Sequence, residues 1–125
     1  MGWKDIMKTK NFKKECLRTL TGLKQFPNAD LLHAAMGMST EANEFLDGLK
    51  KHMFYGAKLD IVNLKEELGD MLWYMAIAMY VLDTDFNKEM DRVINKLRTR
   101  YPEKFTEEDA LDRDLDAERK ELERE

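Results

Sequence analysis

Four acids in this sequence stand beside apolar helical stripes, where their charge needs an explanation. Glu41 and Glu44 lie three residues apart, and so do Glu67 and Asp70. On a helix that spacing turns by about 60° and rises by about 4.5 Å, so each pair projects from one side. The first row reads Ala34, Gly37, Glu41, Glu44 and Gly48; the second reads Asn63, Glu67, Asp70 and Tyr74. Packed antiparallel, the rows would face each other over a space that the small residues leave open. Two unit charges about 5 Å apart repel by roughly 3 kcal/mol at an effective dielectric of 20. Neither row holds a basic residue, so relief must come from raised carboxyl pKa values or from a hard cation. Mg²⁺ suits such oxygen donors and is commonly shared with substrate phosphates. Zinc does not, because Cys16 is remote and His33 and His52 lack ligand spacing. A di-iron site would need Glu-x-x-His pairs, which are absent. The plainer alternative is four solvated acids on charge-rich helices.

A second set carries the opposite charge. Arg92, Lys96 and Arg100 step by four along one face, with Asn95 and Arg98 nearby. Such a row is either a solvated basic face or a phosphate clamp, with arginine binding oxygens bidentately and lysine acting as a point charge. Acids that gather Mg²⁺ and bases that gather phosphate together describe a site for a metal-bound polyphosphate.

The elements that must position these residues are helical. The first helix is expected over Thr9 to Lys24, carrying Phe12, Cys16, Leu20 and Leu23, with Pro27 as the breaker and Asn28 or Asp30 as the next cap. A second, Ala29 to Met53, has a core stripe of Leu31, Ala35, Met38, Ala42, Phe45 and Leu49. Gly56 is placed to end it and Asp60 to cap a third, Ile61 to Leu82, with Ile61, Leu64, Leu68, Met71, Met75, Met79 and Leu82 in register. The fourth runs from Phe86 to Arg100 on Phe86, Met90, Val93 and Leu97, and Pro102 ends it. Beyond Thr106 few apolar residues remain, which predicts an exposed helix or a frayed tail more readily than a packed element. The expectation is an all-α, four-helix bundle-like domain over residues 1–106 with an acidic tail over 107–125.

Composition agrees with that class. The 125 residues are 43% hydrophobic and 37% charged, enough for one core without staples. A single cysteine excludes an internal disulfide and suits a reducing, cytoplasmic compartment. The N-terminal residues hold no apolar leader, and the densest apolar run, Met71 to Leu82, is too short to span a membrane. The net charge of −4 is uneven: from Glu107 onward there are ten acids and four bases. The body is therefore nearly neutral, which argues against a nucleic-acid binder built on the basic row.

Glu41-x-x-Glu44, then "LKEELGD" with Glu67-x-x-Asp70, then "NKLRTRYP" together resemble the MazG-like family of all-α nucleoside triphosphate pyrophosphohydrolases, over roughly residues 30 to 105. The short form is similar to the compact members found in bacteria and phages. The resemblance implies that Glu41, Glu44, Glu67 and Asp70 bind Mg²⁺, with Mn²⁺ as a substitute, and carry the catalysis. It implies phosphate contact by Lys96 and Arg100, and base contact at Tyr74. Asn95 departs from the family pattern, whose Asn usually stands three before the Lys, and Thr40 stands where a further Glu is common. His33, Trp3, Trp73, Phe54 and Tyr55 are further candidates for base recognition. The implied reaction converts a (d)NTP into a (d)NMP and pyrophosphate in a homodimer or homotetramer. Its rivals are an alarmone hydrolase of the ppGpp type and a non-catalytic helical interaction module.

Overall fold

The computed structural model describes residues 3–23, 26 and 28–124, with side chains from Lys8 onward. Pro27 and the Trp3 side chain, both given roles above, lie outside the described residues. Among the described residues six α-helices and one 3-10 turn account for the regular structure, and no strand occurs. The chain is all-α. It forms two compact units, residues 1–85 and 86–125.

In the first unit α1 (Trp3–Cys16) runs into a 3-10 turn (Leu17–Thr19). This helix begins and ends earlier than expected. Thr19 Oγ donates back to the Cys16 carbonyl at 3.1 Å, Leu20 is extended, and Gly22 sits at φ 68°. A hydroxyl bonding to the backbone three residues back competes with continued helix. Next come α2 (Ala29–Tyr55) and α3 (Ile61–Val81), within two residues of their expected bounds. Gly56 takes the left-handed conformation at the end of α2, and the Asp60 side chain caps α3 by accepting from the Asn63 amide at 3.0 Å. Asn28 holds the N-cap position of α2 without a side-chain bond, while Asp30 instead accepts from the Thr21 amide at 2.6 Å.

α3 is the central member, touching α2 along its length and α1 on another face. The Trp73 indole donates to Thr19 Oγ at 2.9 Å and stands edge-on to Phe12, so it joins α1 to α3. Lys13 adds a 2.6 Å bond to the Thr84 carbonyl. Cys16 is fully buried, and burial pushes its thiol up to about 11.

The expected core stripes are displaced by about one position. On α2 the buried residues are Ala34 and Gly37, whereas Ala35 and Ala42 are exposed. On α3 they are Glu67, Ala76, Ile77 and Ala78, whereas Ile61 and Leu68 are each half exposed. Both helices carry apolar residues on more than one face, so periodicity alone does not say which face packs within the chain. The row of small residues and acids is itself the α2–α3 contact.

In the second unit α4 (Phe86–Arg100) has its expected bounds, and α5 (Glu107–Leu111) and α6 (Leu115–Leu122) follow. Thr106 and Asp114 cap the last two, accepting from the Asp109 and Ala117 amides at 3.0 Å. The tail is neither frayed nor merely exposed: α6 packs on α4. Glu118, 2% exposed, accepts from Arg100 Nε and Arg113 Nη2, each at 2.6 Å. Arg92 donates to the Leu122 carbonyl at the end of α6. Charge pairing replaces the apolar area that the tail lacks.

Candidate active site

The antiparallel α2–α3 pair brings Glu41, Glu67 and Asp70 together, with one carboxylate oxygen from each lying within 4.8 Å of the others. Glu67 is 5% exposed, and its Oε2 and that of Glu41 are buried with no hydrogen-bond partner among the described residues. No Lys or Arg among those residues forms an ion pair with any of the three. Glu41 beside it, burial, and Glu44 together push the Glu67 carboxyl up to about 7. Like charges this close raise a carboxyl pKa unless an opposite charge balances them. The donor set is all hard oxygen, which fits a hard divalent cation such as Mg²⁺ or Mn²⁺.

Glu44, the fourth acid, is outside that triplet. It is exposed, close enough to Glu67 to raise its pKa, and lines an adjoining cleft of about 300 Å³. The cleft lies at the loop end of the helix pair, between Gly48 and Lys51 on α2, the 57–60 connection, and Asn63 and Leu64 on α3.

The expected open space beside the acids is filled at its other end. A Cβ built at Gly37 would come within 2.2 Å of the Tyr74 ring, so Gly37 is the bed on which Tyr74 lies. Tyr74 stands edge-on to His33 at 5.6 Å, and His33 Nδ1 is buried without a partner among the described residues. At Gly48 the nearest atoms are the Leu64 side chain at 3.5 Å and Asn63 Nδ2 at 3.9 Å, which keeps that end open. The two glycines thus do different things. Trp73 serves the α1 contact, and Phe54 and Tyr55 are exposed at the end of α2.

Asn95, Lys96 and Arg100 belong to the second unit. Arg100 is committed to Glu118, and Arg92 to Glu89 and the Leu122 carbonyl. Lys96 is half-buried and forms no ion pair among the described residues. The Asn95 carbonyl accepts from Thr99 Oγ at 3.1 Å. Sequence reasoning missed Glu118 altogether. Its signals were the Asp114 cap and the Leu115 to Leu122 spacing of α6.

Residues 31–105 match the profile of the MazG nucleotide pyrophosphohydrolase domain, which is more than half of the chain and contains all four acids and the basic row. The chain belongs to that family. No curated protein and no solved structure matches it. MazG domains are generally metal-dependent, and a nucleotide is the substrate class their description implies. No helix among the described residues of this MazG chain is long and apolar enough to cross a membrane.

Proposed function

We propose that this protein is a Mg²⁺-dependent nucleoside triphosphate pyrophosphohydrolase that cleaves a (d)NTP to a (d)NMP and pyrophosphate. The observation that carries the reading is the convergence of the Glu41, Glu67 and Asp70 carboxylates, which no Lys or Arg among the described residues pairs. These three would hold the cation. A bound divalent cation supplies neutralisation of the charge that grows on the phosphoryl oxygens.

The chain's own part follows from placement. Glu67 must release its proton before it can act as a ligand, so cation binding and deprotonation are linked. Glu44, exposed and next to Glu67, is the acid left to accept a proton from the attacking water. Water adds at the α-phosphorus, the bond to the bridging oxygen breaks, and pyrophosphate leaves with that oxygen. His33 and Tyr74, one side of the acids, are the proposed base-side contacts. Phosphate contact by Lys96 is part of the proposal; Arg100 is free for it only when released from Glu118.

Association into a dimer or tetramer is proposed as well. Leu32, Met36, Leu46 and Phe54 are each at least 60% exposed and share the side of α2 opposite its buried row. An apolar helix face left in water is normally covered by a partner surface.

The test is pyrophosphate release from a panel of ribo- and deoxynucleoside triphosphates, with ppGpp included, in Mg²⁺ and in EDTA. Release that requires Mg²⁺ and leaves a monophosphate supports the reading. Release from ppGpp alone would replace it with the alarmone hydrolase, and no release from any substrate would overturn it.

A further inference from the structure

We propose that the cleft at the loop end of α2 and α3 is the subsite for the pyrophosphate portion of the substrate, with Lys58 as its main contact. This rests on the reaction proposed above and adds a place and a residue to it. The cleft adjoins the acid cluster directly, since Glu44 and Glu67 belong to its lining. Its lining also includes Lys51, Lys58 and Asn63. Among the described residues Lys58 forms no ion pair, whereas Lys51 is held by Asp47 at 2.8 Å. The ammonium of Lys58 is therefore the uncommitted one.

Direction along the helix pair decides which end of a nucleotide this cleft suits. On α2 the order is His33, Gly37, Glu41, Glu44, Gly48, Lys51, and on α3 Tyr74, Asp70, Glu67 and Asn63 run alongside. An aromatic pair thus stands on one side of the acids and a lysine-lined cleft on the other. If the scissile α-phosphorus is at the acids, the nucleoside and the two outer phosphates must leave in opposite directions. No aromatic side chain lines the cleft, and its apolar lining is limited to Ala57, Leu59 and Leu64 beside Gly48. That surface offers a base nothing to stack on, and it offers phosphate oxygens the Lys58 ammonium and the Asn63 side-chain amide.

Four carboxylates also line the cleft, and their state sets a condition. Asp47 is balanced by Lys50 and Lys51 at 3.1 and 2.8 Å, and Asp60 is engaged with the Asn63 amide. Glu44 and Glu67 remain, so bare pyrophosphate would be repelled and pyrophosphate accompanied by a divalent cation would not.

The experiment is calorimetric titration of inorganic pyrophosphate, with and without Mg²⁺, into the wild type, Lys58→Gln, Gly48→Met and the off-site control Lys65→Gln. Wild type should bind only with Mg²⁺. Lys58→Gln should weaken binding by about ten-fold or more, the loss of one charge-assisted hydrogen bond. Its affinity for a nucleoside monophosphate should be unchanged. Gly48→Met should block the cleft while circular dichroism shows α-helical content retained, and Lys65→Gln should behave as wild type. Equal pyrophosphate affinity in wild type, Lys58→Gln and Gly48→Met would overturn the subsite, as would no binding to wild type. If wild type hydrolyses nucleotides in either case, the reaction stands and only the subsite falls. Lys58-dependent pyrophosphate binding in a protein that hydrolyses no nucleotide keeps the subsite and removes the reaction.

Discussion

Two buried glutamates in this chain have opposite fates. Glu118, on the second unit, is clasped by Arg100 and Arg113 and its carboxyl is held down to about 2. Glu67, on the first, faces Glu41, Glu44 and Asp70, and its carboxyl is pushed up to about 7. Both residues are almost wholly removed from water, so burial alone does not separate them. The neighbours do. A buried acid whose cation is part of the chain fastens the fold; one with no such partner among the described residues is where a receptor for a cation is proposed.

The contrast is tested most severely by removing each charge in turn. Glu67→Gln should lower Mg²⁺-dependent pyrophosphate release on the order of a thousand-fold, as loss of a ligand costs several kcal/mol in the transition state. The same substitution should raise the melting temperature of the metal-free protein, because it removes repulsion. A fall in that temperature would mean Glu67 has a partner after all. Glu118→Gln should do the reverse, lowering the melting temperature by several degrees and leaving the Mg²⁺-induced shift intact.

pH separates the two without mutation. For Glu67 the folded pKa lies above the unfolded value of 4.5, so its contribution is most favourable below about 4.5 and is lost as pH rises through 7. For Glu118 the folded pKa lies below the unfolded one, so its contribution is present above about 4.5 and is lost as pH falls toward 2. Metal-free protein should therefore melt lower at pH 8 than at pH 6, and Mg²⁺ should restore the difference at pH 8 far more than at pH 6. Scanning calorimetry at the two pH values, with and without Mg²⁺, reads this directly; an equal Mg²⁺ effect at both would break the argument. The smallest effect belongs to Arg113→Gln. Arg113 is more exposed than Arg100, and Arg100 remains to pair Glu118, so a loss of only a degree or two is expected.

Much of this was legible before any coordinates. The spacings Glu41-x-x-Glu44 and Glu67-x-x-Asp70 predict four acids in one place, and the structure gathers Glu41, Glu67 and Asp70 with Glu44 beside them. Gly56 and Asp60 fix the α2–α3 turn by their local chemistry, which is why those helix bounds were readable. The packed faces were not, because Leu31 and Ala34 differ in burial for a reason that lies on the facing helix and not in α2. Tyr74 filling the notch at Gly37 is a tertiary fact of the same kind. The tail misled because apolar content was its only measure, while α6 is fastened through Arg92, Arg100 and Arg113. Composition counts those charges but does not pair them.

The sole cysteine gives the molecule a clock. Cys16 closes α1, has no contact with solvent, and has its thiol pushed up to about 11, so in the closed state it is both hidden and protonated. Any reaction with a thiol reagent must wait for an opening that uncovers Cys16. The labelling rate of the unmodified protein then counts those opening events one by one, with no second thiol in the sequence to blur the record.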